Sequence, residues 1–473
     1  MRCVTRRRFV RAAALAAAAG VLPSCRPRRR PVHDVLIVGA GMAGLAAARD
    51  LAAAGTDLLV LEARDRVGGR IETLHGPAPH GLEVGAQMIH GSRAATFELV
   101  RAFGITARPF RDWDTWPLLP DGRVRPAPVE ATRRLQDRLD AAWRSYTGPD
   151  LNYGEFLARQ GFTAAEQEAL AEHALSWSAE PDEVSLRAAL EDHAAWSAYL
   201  DRNFQVVGGY DQIPRRLAEP IADRIHLSSP VREIAWGPEG VRVACARDGR
   251  SETHHARRLL LTVPVGVLQA GRPAFAPPLP PWKLRALDAL RMGRVAVAHF
   301  LFKDRFWQER NPGMPGWNAR GGRISFWDPH PEGTGAPVLL GWITGAAADD
   351  LGSPSREEAM ARALGWIEAA FPRAAVRRRL EWSNLKNWRQ DPHTLGSYSF
   401  TRPGGAGMRE VLATPVHDVL FFAGEATAPA PHYQTVHGAY TSGRRAAREL
   451  LAASGGAIAR LAAAPLLRIL GTS

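Results

Sequence analysis

The stretch "HDVLIVGAGMAGLAAARDLAAAGTDLLVLEARDRVGGR", residues 33–70, decides the fold of this chain. Its first apolar run, "DVLIV", is typical of a buried parallel strand. The pattern G-x-G-x-x-G follows at Gly39–Gly44, then a helix-forming stretch that ends at Gly55, then a second apolar run that closes at Glu62. Strand, glycine-rich turn, helix, strand and terminal acid in this order predict an α/β domain that binds a dinucleotide.

Each glycine of this pattern has a physical task. Gly39 permits the tight turn, Gly41 lets backbone N–H groups approach a pyrophosphate, and Gly44 lets the helix pack closely on the strand. The N-terminus of the helix favours the negative charge of the phosphates. Glu62 lies about twenty residues further on, where an acid binds a ribose hydroxyl.

The string after the second strand separates FAD from NAD. "EARDRVGGR", residues 62–70, resembles the second fingerprint of FAD-dependent oxidoreductases, and it is too specific to be only a glycine turn between surface arginines. The predicted FAD contacts in this region are Gly39, Gly41, Met42, Ala43, Gly44, Glu62, Ala63, Arg64, Gly69 and Arg70.

Segments further along the chain resemble the flavin-containing amine oxidases, a family of monoamine oxidases, polyamine oxidases and related histone demethylases. The resemblance runs from about His33 to Leu451. It is carried by "LEVGAQMIHGS" (82–92), "VVGGYDQIPRRLAE" (206–219), "RLLLTVPVGVL" (258–268), "DPHTLGSYSF" (391–400) and "VLFFAGEATAPAPHYQTVHGAYTSGRRAA" (419–447). The further FAD contacts that it implies are Gly85, Ala86, Gln87, Met88, Val231, Gly424, Glu425, Thr435 and Val436.

The fold implied by the resemblance is α/β, with a Rossmann-type FAD-binding domain interleaved with an α+β substrate domain. The FAD-binding domain would comprise residues 33–85, 206–275 and 385–455. The substrate domain would comprise residues 86–205 and 276–384. Residues 456–473 would form a C-terminal tail, a candidate amphipathic helix that Pro465 interrupts.

The resemblance also implies the reaction, which is the oxidation of a polyamine or a primary amine. A hydride passes from the carbon next to nitrogen to the flavin, the imine hydrolyses to an aldehyde, and oxygen as acceptor gives hydrogen peroxide. Tyr398 is the predicted substrate wall beside the flavin, and Trp388 packs near the ring. His90 matches a pocket histidine of polyamine oxidases, and Glu180 matches a carboxylate that attracts a distal ammonium. Core packing or a surface charge is the alternative for each.

Two departures from the family pattern carry expectations of their own. Ser397 stands where monoamine oxidases have the cysteine that bonds the flavin, so FAD is expected to be non-covalent. Relatives place a lysine ten residues before the tryptophan of an "FW" pair, and counting back from Trp307 gives Val297. That lysine is associated with the reaction of reduced flavin with oxygen. Its loss implies slow reoxidation by oxygen and an electron acceptor other than oxygen.

Other functions stay open at this point. L-amino acid oxidases carry an arginine in the stretch matching Gly85–Ile89, where this chain reads "GAQMI", although Arg93 lies close by. A flavin desaturase acting on a lipid-like substrate is a second alternative. A catalytically silent FAD-binding protein, kept for partner binding, is a third.

The N-terminal stretch "TRRRFVRAAALAAAAGVLPSC", residues 5–25, predicts an export signal over residues 1–30. Clustered arginines, a short alanine-rich run and a small-residue site occur in the right order, and the run is too short to cross a ~30 Å hydrocarbon core. The arginines resemble a twin-arginine signal, which implies the Tat export machinery and a periplasmic or cell-surface protein loaded with FAD beforehand. A lipid on Cys25 would be its membrane attachment.

The composition argues against other partners. The formal net charge is +12, but the basic residues are nearly all arginines scattered among acids, so no nucleic acid is expected to bind. The lysines are Lys283, Lys303 and Lys386. Of the three cysteines only Cys245 lies beyond the export signal, so neither an internal disulfide nor a metal site is expected.

Overall fold

The computed structural model describes residues 32–110, 115–118, 123–126, 128–309, 312, 314, 316–329, 335–352 and 355–455. The predicted export signal, with Cys25, and the predicted tail at 456–473 lie outside the described residues. Within the described residues, no helix has both the length and the apolarity needed to cross a bilayer.

An eight-stranded mixed sheet carries the first motif. Val32–Val38 pairs in parallel with Leu58–Leu61, and the helix Met42–Ala53 connects the two strands. The second strand is fully buried, as expected for an apolar strand covered on both faces. The strand order is Ala274–Ala276, Val231–Gly237, Gly240–Arg247, Arg250–Leu261, Val32–Val38, Leu58–Leu61 and Ile225–His226, and Leu420–Phe422 pairs in parallel with Arg250–Leu261.

Small residues let two helices approach each other and this sheet. A Cβ atom on Gly44 would lie 1.9 Å from the carbonyl oxygen of Gly39, and one on Gly443 would lie 2.1 Å from that of Ala43. The alanine-rich helix Met42–Ala53 therefore packs closely on the turn beneath it and on the helix Val436–Ala453. The turn between the first strand and this helix is held in one position as a result.

A six-stranded sheet forms a second layer with its own aromatic core. The order is Leu380–Asn387, Val295–Phe302, Val338–Thr344, Ile324–Trp327, Gly316–Ala319 and Thr115–Pro117. Phe300, Phe302, Trp307, Trp317 and Phe326 are buried against one another on this sheet. The edge strands of this sheet, Leu380–Asn387 and Thr115–Pro117, lie far apart in the sequence. The sheet therefore joins segments from different parts of the chain.

The remaining elements are short. The smaller sheets pair Leu290–Met292 with Ser399–Thr401, Thr73–Leu74 with Leu82–Glu83, and Asn203–Val206 with both Ile89–His90 and Ala107–Phe110. The other helices are Thr96–Ala102, Val129–Ser145, Tyr153–Arg159, Ala164–Leu175, Leu186–Tyr199, Gln212–Ala218, Val265–Gln269, Pro281–Asp288, Gly345–Asp350, Arg356–Ala370, Val376–Arg379 and Met408–Ala413. The 3₁₀ helices are Glu219–Arg224, Phe306–Gln308 and Glu425–Thr427. The predicted domain boundaries stay a prediction.

Candidate active site

A cavity of about 1060 Å³ lies at the carboxyl end of the first strand, Val32–Val38. Its wall contains every predicted cofactor contact except Gly44, which packs beneath the turn at Gly39. Tyr398, Trp388 and His90 also line it, whereas Glu180 and Val297 do not. The structure thus gathers residues from every quoted motif except 206–219 around one space.

The cavity wall fits a dinucleotide at the glycine-rich turn. Added Cβ atoms on Gly41 and Gly424 would meet no atom within 4 Å, because both positions face open space in the cavity. Gly41 is the N-cap of the helix Met42–Ala53 and supplies no side-chain cap, which leaves the first N–H groups of the helix available to a ligand. A phosphate is the group that such a helix end binds best.

The carboxylate of Glu62 is held in place at the end of the second strand. Its Oε2 accepts a hydrogen bond from the backbone N–H of Ala40 at 2.6 Å, and its Oε1 accepts one from that of Arg64 at 2.9 Å. The side chain is buried but lines the cavity. A fixed carboxylate there suits a ribose hydroxyl, which is the role that the sequence predicts.

Two arginines of the second fingerprint, Arg64 and Arg70, are paired with carboxylates of the C-terminal motifs. Arg64 donates two hydrogen bonds to Asp391, at 3.0 and 2.6 Å, and Lys386 donates a third at 2.6 Å. Burial raises the pKa of Asp391, but the bonds from Arg64 and Lys386 outweigh it and hold that pKa well below its usual range. Arg70 bonds Glu425 at 3.0 Å. These pairs tie the fingerprint to the two C-terminal motifs.

Tyr398 stands in the cavity wall with its hydroxyl fixed. The hydroxyl accepts a hydrogen bond from Ser178 Oγ at 2.5 Å and donates one to the carbonyl of Ser176 at 3.0 Å. Burial raises the pKa of Tyr398 to about 12, so the phenol stays neutral. Trp388 lies beside it, and its indole donates to the carbonyl of Val84 at 2.8 Å. Both rings are therefore held in single orientations.

His90 contributes a neutral imidazole to the same wall. Its Nδ1 lies 2.8 Å from the Asn203 side-chain oxygen, and its ring meets Trp196 edge-on with centroids 5.6 Å apart. Burial lowers the pKa of His90, although the bond to Asn203 opposes this. The imidazole adds no positive charge to the cavity at neutral pH.

The structure gives Glu180 a different place from the one predicted. Its carboxylate forms a bidentate ion pair with Arg323, at 3.0 and 2.6 Å, and accepts a bond from the N–H of Ala346 at 2.7 Å. Burial raises the pKa of Glu180, but these partners outweigh it and lower the pKa overall. A carboxylate so occupied and outside the cavity wall has no free charge to offer an ammonium.

Val297 is fully buried on the strand Val295–Phe302 and packs with Trp388 and Trp327. Its neighbour Val295 is the residue of this strand that reaches the cavity. The cross-strand partner of Val297 is Lys386, whose ammonium lies 4.7 Å from the Trp388 ring. The apolar position thus has a lysine next to it in the sheet.

The sequence reasoning missed Asp192. This residue on the helix Leu186–Tyr199 is only 3 % exposed and lines the cavity. Its Oδ2 accepts a hydrogen bond from the Trp177 indole at 2.8 Å, while Oδ1 has no hydrogen bond within the described part of the chain. No signal in "ALEDHAAW", residues 189–196, separates Asp192 from a surface acid such as Glu191.

Three residues outside the cavity wall have the donor set of a metal site. His226, Glu252 and His254 each offer an atom within 4.8 Å of the others. However, Arg247 donates a hydrogen bond to Nδ1 of His226 at 3.0 Å, and its charge opposes a cation there. Cys245 is buried as a free thiol.

Comparison with known proteins identifies the family. The family model described as "Flavin containing amine oxidoreductase" matches residues 42–451. Polyamine oxidase 4 of Oryza sativa subsp. japonica is 30 % identical over 91 % of this chain and 91 % of its own length. Lysine-specific histone demethylase 1 homolog 2 of the same plant is 32 % identical over 90 % of this chain. The chain spans only 58 % of that demethylase.

The solved structures resemble the chain over most of its length. Putrescine oxidase with putrescine bound superimposes with a TM-score of 0.76, at 25 % identity, over 89 % of this chain and all of that one. Cyclohexylamine oxidase from Brevibacterium oxydans shares the fold, with a TM-score of 0.73 at 24 % identity. The predicted amine oxidase fold is confirmed. The chain belongs to the flavin containing amine oxidoreductase family.

Proposed function

We propose that this protein oxidises an aliphatic amine with FAD, giving an imine that hydrolyses to an aldehyde. One observation carries the proposal. A single cavity joins the dinucleotide cradle at Gly41 and Glu62 to an aromatic wall that contains Tyr398 and Trp388. An amine held on that wall would have its carbon next to the part of the cavity where the cofactor binds.

FAD, when bound, supplies the hydride acceptor. The chain supplies the rest. Gly41 and the N-terminus of the helix Met42–Ala53 would hold the pyrophosphate, and Glu62 would hold the ribose. Tyr398 and Trp388 would orient the amine, since their hydrogen bonds to neighbouring segments fix both rings.

The aromatic wall also controls protonation of the substrate. An ammonium cannot readily lose a hydride, so the reacting nitrogen has to be neutral. Beside the reacting nitrogen, Tyr398 and Trp388 present aromatic surface in place of water, which disfavours the charged form and lowers the pKa of that nitrogen. The neutral imidazole of His90 does not alter this balance.

The cavity disfavours an amino acid as substrate. Its lining arginines are Arg64, Arg70, Arg232 and Arg272, and none lies between residues 143 and 203, the segment that supplies Trp143, Trp177 and Trp196. Arg64 and Arg70 already pair with Asp391 and Glu425. The segment that carries Trp143, Trp177 and Trp196 therefore has no lining arginine of its own to bind a substrate carboxylate.

The test is an anaerobic screen of the FAD-loaded protein with monoamines, diamines, polyamines and leucine. We expect diamines and monoamines to bleach the flavin and leucine to leave it yellow. Peroxide is then measured after oxygen is admitted. Bleaching by leucine alone would favour an amino acid oxidase, and no bleaching by any amine would favour a catalytically silent FAD-binding protein.

FAD is proposed to be non-covalent, because a serine cannot form the thioether. Ser397 lines the cavity, and its buried hydroxyl has no hydrogen bond within the described residues. Acid precipitation should release all the yellow colour into the supernatant. Colour kept in the pellet would contradict non-covalent binding.

Export by the Tat machinery is proposed from the sequence of residues 5–25. A cofactor held between segments as distant as Glu62 and Glu425 would have to be loaded before transport, and the twin-arginine route carries folded proteins. Replacing both Arg6 and Arg7 by lysine should leave FAD-loaded protein in the cytoplasm. Unchanged delivery across the membrane would mean that the signal is misread.

A further inference from the structure

Asp192 is a charged group in the cavity wall without an opposite charge of its own. It has no ion pair within 4 Å among the described residues, and its Oδ1 accepts no hydrogen bond there. The side chain is 3 % exposed, so water compensates it poorly. An isolated buried carboxylate costs free energy when it is ionised, which suggests that a ligand supplies the opposite charge.

The nearby guanidinium of Arg409 does not fill this role. Arg409 donates to the side-chain and backbone oxygens of Ser399, at 2.7 and 2.9 Å, and lies 4.0 Å from the Tyr433 ring. Its charge reaches Asp192 only through space. The indole of Trp196 and the hydroxyl of Tyr433 also favour the ionised form, but neither bonds Oδ1.

Three tryptophans share the cavity wall with Asp192. Trp177 bonds Oδ2 of Asp192, and Trp143 and Trp196 line the same cavity. Indole faces attract cations, and a carboxylate among them adds full charge complementarity. The ring of His193, whose centroid lies 4.6 Å from that of Trp143, also lines this part of the cavity. The arrangement suits a protonated nitrogen on an apolar chain.

We propose that Asp192, with Trp143, Trp177 and Trp196, binds the second, protonated nitrogen of a diamine or polyamine. The assignment rests on the proposed amine oxidation, in which the reacting nitrogen is neutral, so the nitrogen held as a cation is the distal one. The substrate class is therefore an amine with two nitrogens joined by an apolar chain. Asp192 sets specificity and takes no part in the chemistry.

The proposal assigns to Asp192 the role that the sequence suggested for Glu180. Glu180 is neutralised by Arg323 and lies outside the cavity wall. Asp192 lies in the wall and is not neutralised. Of these two acids, only Asp192 can gain a counter-ion from the substrate.

The test is calorimetric binding to the full-length, FAD-loaded protein after reduction with dithionite, because reduced flavin cannot oxidise the ligand. Butane-1,4-diamine and butylamine are compared on wild type, Asp192→Asn and the neighbouring surface control Glu191→Gln. We expect Asp192→Asn to weaken the binding of the diamine about 10- to 100-fold, which is the scale of a lost charge-assisted hydrogen bond. The affinity for butylamine should change by less than about 3-fold in Asp192→Asn. Glu191→Gln should leave the affinity for both ligands unchanged.

Equal weakening of both ligands by Asp192→Asn, or unchanged binding of the diamine, would overturn the assignment. Butylamine binding and flavin content show that each variant is folded. Asp192→Glu, which keeps the charge, should recover part of the diamine affinity, whereas a merely structural role would not respond to charge. Because binding is measured without turnover, failure of the amine oxidation would appear separately, as a flavin that no amine reduces.

Discussion

The two halves of the cavity are built from different material. The cofactor half uses backbone, in the N–H groups after Gly41 and the bare positions at Gly41 and Gly424, with Glu62 fixed by two backbone N–H bonds. The substrate half uses large side chains, such as Trp177 and Tyr398, carried by separate segments. An added side chain in the cofactor half would therefore take up space meant for the cofactor, at Gly41 and Gly424, or clash with the turn, at Gly44. The substrate half can be altered one side chain at a time.

The largest effect is expected from Gly44→Ala in the cofactor half. The added Cβ would lie 1.9 Å from the Gly39 carbonyl oxygen. Overpacking of this turn should weaken the free energy of FAD binding by about 3 kcal/mol, which is about 100-fold in affinity. Flavin content and thermal melting measure the loss. The matched control is Gly365→Ala in the helix Arg356–Ala370, where an added Cβ would meet no atom within 4 Å. This control should raise the free energy of unfolding by about 0.5–1 kcal/mol, because alanine has the higher helix propensity. Similar behaviour of both variants would refute the packing account.

Tyr398→Ala should damage turnover while FAD stays bound. Loss of the ring leaves the amine misplaced, and we expect kcat/KM to fall about 10- to 100-fold. Tyr398→Phe keeps the ring and removes only the bonds to Ser178 and Ser176, which orient it, so its loss should be smaller, about 5-fold. A Tyr398→Ala variant as active as wild type would place the substrate wall elsewhere.

Diamine binding should strengthen as pH rises through about 6. Burial raises the pKa of Asp192 to about 6, against the opposing effects of Trp177, Tyr433 and Arg409, so the carboxyl is neutral below that pH and charged above it. Between pH 5 and pH 7 the affinity of the reduced protein for butane-1,4-diamine should rise about 10-fold. Asp192→Asn should remove this rise. An equal rise in the variant would assign it to another group.

The smallest effect concerns oxygen. Val297→Lys would place a charge near the cofactor half, and we expect the reduced flavin to react with oxygen about 5-fold faster, because the charge stabilises developing negative charge. The new lysine would be buried beside Lys386, so a lower melting temperature is also expected. Val297→Met is the apolar control in stopped-flow reoxidation. Equal rates in all three proteins would show that the missing charge does not matter.

The cofactor half could be predicted from the sequence because its determinants are contiguous. The spacing of Gly39, Gly41 and Gly44 is itself the geometry, and Glu62 follows at a fixed distance along the same βαβ unit. The matching motifs near the C-terminus added Gly424 and Glu425. Each of these residues, apart from Gly44, reaches the cavity in the structure.

The substrate half could not be predicted in the same way, since a side chain's role there depends on partners far away in sequence. Glu180 looked free, but it meets Arg323, which lies 143 residues further on. Asp192 looked like a surface acid, but the fold buries it against Trp177. Val297 stands at the position where relatives have a lysine. Only the pairing of strands in the structure shows that Lys386 lies opposite it.

The most direct test of the account is a single turnover without oxygen. The FAD-loaded protein is mixed anaerobically with butane-1,4-diamine. The visible flavin absorbance is followed together with the aldehyde formed, whether free or closed on its own amine as a five-membered cyclic imine. The account predicts that the flavin bleaches and that one aldehyde forms for each flavin reduced. A flavin that stays oxidised with every amine, or that bleaches without aldehyde, would contradict it.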